Sequence, residues 1–352
     1  MTSQTELNSH KKVKLTPIID SIELIEMSDE EYFSSKWSEY ISNSRLSLIN
    51  PEQDGSEERF INGLGGNYSD SLTLGSAVHQ LVLQPEEFEV AEGVERPTAK
   101  MGAMADELFK LFKEGKVITD EEVIKASDKV GYYKGKMTEK KIQDVFTKCK
   151  TYWDDRALWE SKPMDKEPIY LDLKAREKLA QCVTNIENSV EIQRLLHPEG
   201  IMETPISMNE AALFMQIKAE LDGKECILKL KGKLDNFTID LESNEIVLND
   251  LKTTGHYLTQ FDESFARFHY NRQMAMYIWM LTLYAKKQYN IKADSLKANM
   301  LLVSTVPDFR AGIFKVSKNE ISKGFAEMSD LLKRVANLYL NGSNGSVGTD
   351  VL

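Results

Sequence analysis

The residues whose types and spacing could do chemistry stand in "IVLNDLKTTG", residues 246–255. Ile246, Val247 and Leu248 open a buried strand, and Asp250 and Lys252 follow two residues apart. Positions i and i+2 of a strand share a face. A carboxylate and an ammonium therefore stand side by side, while Leu251 between them points into the core. Just upstream, "KGKLDNFTI" carries Asp235 on a preceding strand, in alternation with Lys231 and Lys233. A turn at "LESNE" (241–245) brings the chain back antiparallel, so Asp250 lies opposite or diagonal to Asp235. Two carboxylates that close repel, and burying them is costly unless a cation sits between them. Such oxygen donors suit Mg²⁺ or Mn²⁺. Lys252 could then stabilise charge on a reacting phosphate or orient a water. The residues by themselves leave a structural salt bridge open as the alternative.

Two further features extend the set. Gln273 and Tyr277 in "YNRQMAMYIW" are i and i+4 on one helix face, either as site residues or as an ordinary polar–aromatic pair. His79 in "LGSAVHQLVL" lies four residues after Gly75 on an otherwise apolar helix. It is either a satisfied core histidine or an imidazole ligand beside the two carboxylates.

The elements that must position these groups follow from the patterning. Ser28 caps a first helix, with Glu31 completing a capping box. "SLTLGSAVHQLVLQPEEF" is a helix through about Leu83, stopped before Pro85. Residues 86–165 are of mixed helical pattern, and residues 172–197 form an amphipathic helix. Beyond Glu203 the period becomes strand-like, with hairpin turns at "LDGKE" (221–225) and "LESNE". A long helix spans Phe261–Tyr289, strands follow at 297–304 and 311–316, and a helix closes the chain at 318–340. These pieces divide into a polar N-terminal arm or edge segment (1–27), a helical part (28–200), a core (201–340) and a flexible tail (341–352).

The chain has 352 residues and a formal charge of −11, so a coat of basic surface for nucleic acid is excluded, though a local basic channel is not. The segment Lys125–Lys150 holds eight lysines against three acids, with Tyr132 and Tyr133 among them. It is either a solvated helical face or a DNA-backbone contact. Cys149, Cys182 and Cys226 have no metal-site or disulfide spacing. The N-terminus lacks a signal-peptide pattern and no stretch approaches 18 apolar residues, so a soluble cytoplasmic protein without membrane contact is expected.

The order G-x-x-x-H, L-D, D-L-K-T-T, Q-x-x-x-Y resembles the RecB-like branch of the PD-(D/E)xK nucleases, and within it the RecE (exonuclease VIII) type of bacteria and their phages. "LGSAVHQLVLQPEEF", "GKLDNF", "VLNDLKTTG" and "YNRQMAMY" carry the resemblance, which spans roughly residues 40–330. It implies an α/β (α+β) fold, with a mixed central sheet flanked by helices and a helical N-terminal region. It also implies that His79, Asp235 and Asp250 ligate the metals, with the Leu251 carbonyl completing the shell. Lys252 would be the catalytic lysine, and Gln273 and Tyr277 would orient it and contact DNA. The family's acidic residue at the start of the sheet falls on Glu203. Two Mg²⁺ or Mn²⁺ ions are implied and no iron–sulfur cluster, since only three cysteines are present.

A metal-dependent exonuclease acting on double-stranded DNA ends in recombination or end processing is therefore the leading expectation. A single-strand annealing protein is the expected partner and a ring-shaped homo-oligomer the expected assembly. A structure-specific or restriction-type endonuclease, an inactive DNA-binding scaffold and a metalloenzyme with another substrate are the competing readings.

Overall fold

The computed structural model describes residues 13–63, 70–133, 135, 137–162, 168–200, 202 and 205–342. Its centre is a six-stranded sheet in the order β1-β2-β3-β4-β5-β6. The strands are β1 Lys14–Ile25, β2 Pro205–Leu221, β3 Lys224–Asp240, β4 Glu245–Thr254, β5 Ser295–Ser304 and β6 Ala311–Lys315. Only β4 and β5 pair in parallel. The helices among the described residues are α1 Asp29–Tyr32, α2 Asn43–Ser47, α3 Glu57–Asn62, α4 Asp70–Leu83, α5 Ala99–Lys113, α6 Asp120–Val130, α7 Glu139–Glu160, α8 Leu173–Glu187, α9 Val190–Leu196, α10 Phe261–Arg267, α11 Tyr270–Tyr289 and α12 Lys318–Asn341, along with short 3₁₀ turns. The mixed sheet flanked by helices is the expected fold class.

Two hairpin turns set the register of the central strands. Asp222 and Gly223 both take positive φ, 53° and 78°, which the tight two-residue turn between β2 and β3 requires. In the second turn, Asp240 accepts hydrogen bonds from the backbone N–H groups of Glu242 and Ser243, and Asn244 is left-handed. One sheet face packs α11 and α12 over the main core, which includes Leu230, Leu248, Met274, Met300 and Leu332. The other face packs α4, α8 and α9 around Leu251, Leu301 and Val303. Helices α5–α7 enclose a separate core around Met104, Phe109, Tyr152 and Trp153.

Four expectations are modified. The edge-segment reading of the N-terminus holds over Lys14–Ile25, which is β1; what changes is the boundary of the core, since the sheet draws on residues far upstream of 201. The helix expected over 172–197 is two, because Ser189 turns the chain and caps α9 by accepting from Ile192 N. The helix expected over 261–289 breaks at His269, whose φ of 52° is left-handed. At Ser28 only half of the capping box forms: the hydroxyl accepts from Glu31 N, while the Glu31 carboxylate pairs with Lys36 at 3.1 Å. The expected tail, apart from its first residues, and Glu203 lie outside the described residues.

Candidate active site

The site lies where the sheet forks. β3 and β4 pair from Asp240↔Glu245 to Asn236↔Asn249 and no further, so the next two residues, Asp235 and Asp250, stand where the strands part. Instead of a ladder bond, Asp235 Oδ2 accepts a hydrogen bond from Leu251 N at 2.7 Å. On the other side of β3, the β2 pairing also lapses for one position: Asn209↔Asn236 and Ala211↔Leu234 pair, and Glu210 faces Asp235 between them. Glu210 has a left-handed φ of 53°. The strands reverse their faces at this point. In β2 the main core receives Ile206 and Met208 before Glu210 but Ala211 and Leu213 after it. In β3 it receives Leu230 and Leu234 before Asp235 but Phe237 and Ile239 after it. This kink delivers two carboxylates to one spot.

Helix α4 completes the cluster. His79 Nδ1 is 3.6 Å from Asp235 Oδ2 and 3.9 Å from Glu210 Oε1. One donor atom from each of His79, Glu210 and Asp235 lies within 4.8 Å of the others. Gly75, one turn earlier on α4, approaches β4 so closely that a Cβ there would lie 3.2 Å from Thr253 Oγ1. Lys233 pairs with Glu210 Oε2 at 2.6 Å and also with Asp29 at the start of α1.

Across the fork, Lys252 Nζ lies 2.6 Å from Asp250 Oδ2 and 3.8 Å from Asp235 Oδ2. It also donates to the Leu251 carbonyl at 3.3 Å, so that oxygen faces the fork while the Leu251 side chain is in the core. Gln273 Nε2 donates to Asp250 Oδ1 at 2.7 Å. Tyr277 is packed, with its ring against the β3 backbone, where a Cβ at Gly232 would be 2.8 Å from Cε1. Its hydroxyl lies beside Gln273 and close enough to Asp250 and Asp235 to sense their charge.

The electrostatics follow from burial against charge. Burial, helped by the charge of Asp235, pushes the Asp250 carboxyl up to about 6, against the pull of Lys252. Burial alone would lower the Lys252 pKa, but Asp250 and Asp235 reverse that and hold the ammonium charged. Burial likewise opposes protonation of His79, and Asp235 and Glu210 overcome it, so its pKa rises. Glu210 moves down, since the favourable contacts with His79 and Lys233 outweigh its burial.

The donor set fits a divalent cation. Four buried side-chain polar atoms among the described residues lack a hydrogen-bond partner, and Asp250 Oδ2 is the sole carboxylate oxygen of the four. Its residue is 1% exposed, and its near neighbour is Lys252, an ion pair at 2.6 Å. Carboxylates from three strands, an imidazole and a backbone carbonyl are the hard, oxygen-rich set that Mg²⁺ or Mn²⁺ takes.

The structure thus gathers His79, Asp235, Asp250, Leu251, Lys252, Gln273 and Tyr277 around one fork. The acid it brings to His79 and Asp235 is Glu210, seven residues beyond the expected Glu203. Counting back from the Asp222–Gly223 turn pairs position 210 with 235, and that count is the sequence signal for Glu210.

Residues 60–344 match the family model of the PD-(D/E)XK nuclease superfamily, and the chain belongs to that superfamily. Asp250-Leu251-Lys252 has the form of the (D/E)XK in that name. Among solved structures, a candidate exonuclease from Eubacterium rectale is 11% identical, with 93% of this chain and 97% of that one covered and a TM-score of 0.44. Protein VC1899 from Vibrio cholerae is 13% identical, covering 80% and 59%, with a TM-score of 0.18. Rai1 from Scheffersomyces stipitis is 12% identical, covering 98% and 87%, with a TM-score of 0.24. None of the three is alike enough to carry a functional argument. No curated protein matches the chain. No helix among the described residues is long and apolar enough to cross a membrane.

Proposed function

We propose that this protein is a metal-dependent exodeoxyribonuclease that hydrolyses phosphodiester bonds from the ends of double-stranded DNA, in recombination or end processing. The observation that carries the reading is the fork: Glu210 and Asp235 converge there with His79, and Lys252 bridges to the next strand, 3.8 Å from Asp235 and 2.6 Å from Asp250. His79, Glu210, Asp235, Asp250 and the Leu251 carbonyl would hold two Mg²⁺ or Mn²⁺ ions. When bound, divalent cations polarise a water and neutralise charge on the departing oxygen.

The chain's own residues do the rest. Lys252 is held charged by Asp250 and Asp235, so it stabilises the anionic phosphorus centre and orients the attacking water. Gln273 fixes the Asp250 carboxylate through Oδ1 and leaves Oδ2 turned to the fork. Tyr277 and Gly232 form the packed floor beneath it. The exposed lysines 125, 129, 140, 148 and 150 on α6 and α7 are candidate contacts for the DNA backbone. Of these, Lys129 pairs with Glu107 and Lys150 with Asp154. A homo-oligomeric ring would put a basic bore inside an acidic exterior, in keeping with the −11 charge, with a single-strand annealing protein as partner and the cytoplasm as its place of action.

The test is incubation with linear and covalently closed circular duplex DNA in Mg²⁺, in Mn²⁺ and in EDTA. Degradation of linear DNA alone, lost in EDTA, is expected. Cutting of the circle would replace the reading with an endonuclease, and inactivity on both with a DNA-binding scaffold.

A further inference from the structure

Behind the fork runs a chain of four asparagine side chains across four strands. Asn299 on β5 donates to Asn249 Oδ1 at 2.9 Å, and Asn249 on β4 donates to Asn236 Oδ1 at 2.7 Å. Asn236 on β3 donates to Asn209 Oδ1 at 2.8 Å, and Asn209 on β2 donates to the carbonyl of Leu83, the last residue of α4, at 2.9 Å. Asn249 also donates to the Leu195 carbonyl in α9 at 3.4 Å. Asn236 and Asn249 are fully buried, and amide chains of this kind polarise one another in a low-dielectric interior.

The placement of the chain is its main feature. Asn209 precedes Glu210, Asn236 follows Asp235, and Asn249 precedes Asp250. Leu83 lies one helical turn beyond His79. Every side chain of the candidate metal site therefore sits one residue, or one turn, from a link in this chain. The ladders between β2, β3 and β4 supply less of that restraint here, because β3–β4 pairing stops at Asn236↔Asn249 and the β2–β3 ladder lapses for the one position Glu210/Asp235, while Asp250 keeps its pairing with Met300 of β5. Glu210 and Asp235 therefore stand at the gap in the β2–β3 ladder, and Asp235 and Asp250 just past the end of the β3–β4 ladder.

We infer that the Asn209–Asn236–Asn249–Asn299 chain is a brace that sets the spacing of the three carboxylates and the distance of His79 from them. Its asparagines are positioning residues for the metal site, and this rests on the reading of that site given above. Asn209 is the link that ties the sheet to the histidine helix. Positioning groups of this kind change metal affinity by about 10–100-fold when removed.

Asn209 lies at the exposed end of the chain, so Asn209→Ala removes the tie to α4 together with the acceptor for Asn236, and keeps the two buried links Asn236–Asn249 and Asn249–Asn299. Mn²⁺ affinity by calorimetry and amide hydrogen exchange of α4 are measured for wild type, Asn209→Ala and Asn299→Ala. The brace predicts that Asn209→Ala raises the Mn²⁺ Kd about tenfold and speeds exchange in the last turn of α4. Asn299→Ala, at the end that holds no ligand, raises the Kd less than about threefold. Equal losses in the two variants, or wild-type Kd and exchange in Asn209→Ala, would overturn it. If wild type binds no Mn²⁺, the metal-site reading fails, and unchanged α4 exchange in Asn209→Ala would still sink the brace.

Discussion

Glu210 on β2 faces Asp235 on β3 at the one position where those strands do not pair, and His79 closes on both from α4. Removing that carboxylate removes a donor and leaves Lys233 with Asp29 as its remaining acid. Glu210→Gln is predicted to weaken Mn²⁺ binding at least tenfold, since removing even a group that only orients a ligand costs about 10–100-fold. Calorimetric titration checks this, with Glu203→Gln alongside. A loss in the 203 variant and none in the 210 variant would return the role to Glu203.

Asp235, Asp250 and Lys252 were legible because strand period and turn length are local rules: period two puts Asp250 beside Lys252, and the 241–244 turn brings β4 back along β3. Glu210 was legible in principle by the same counting from Asp222–Gly223. It was missed because an acid in a strand otherwise running "ALFMQI" signals nothing until its partner is known. The break at His269 was not legible, since helix-compatible residues continue across Phe268. The asparagine chain was invisible for a deeper reason. Each asparagine alone is an unremarked polar residue, and only the register of four strands aligns them.

Lys252 is the nearest counter-charge of a carboxylate that burial already pushes up to about 6. Lys252→Ala should lower the hydrolysis rate by about 100-fold or more, the usual scale for losing one charge-stabilising group. In metal-free protein it also strands Asp250, which costs about 3 kcal/mol of stability. Saturating Mn²⁺ should restore more melting temperature to this variant than to wild type. An equal metal shift in both proteins would count against a cation beside Asp250.

Helix α12 touches the first turn of α11 without side chains: a Cβ on Gly324 would lie 2.1 Å from Asn271 O and 2.7 Å from Arg272 N. Arg272 there is wholly buried, bound to Asn43, Ser47, Gln53 and Glu327. Gln273 follows directly. Gly324→Ala should cost about 1–3 kcal/mol by overpacking. It should also lower the hydrolysis rate at temperatures where the protein stays folded, because the turn that carries Gln273 must shift. Chemical denaturation and initial rates together test this; a stability loss with an unchanged rate would uncouple α12 from the site.

The α5–α7 unit is predicted to have its own pH response, carried by Glu160. Glu160 meets Lys113 at 2.6 Å, Arg156 at 2.8 Å and the Tyr170 hydroxyl at 3.1 Å. Burial alone would raise its pKa, but these partners outweigh it and hold the carboxyl below the ordinary glutamate range. A carboxyl lowered in the folded state binds more protons when unfolded, so it stabilises above its unfolded pKa of about 4.3. That contribution disappears as pH falls through the folded value. Melting temperatures from pH 6 to pH 3 should therefore drop more steeply for wild type than for Glu160→Gln, and parallel curves would refute the assignment.

The most direct test is the rate at which nucleotides are released from linear duplex DNA in Mn²⁺, measured for wild type and for Asp250→Asn with matched thermal stability. The fork predicts hydrolysis by wild type, none in EDTA, and a loss of about 1,000-fold in the variant. Hydrolysis that survives EDTA, or an Asp250→Asn protein as fast as wild type, would contradict a metal-dependent nuclease centred on Asp235 and Asp250.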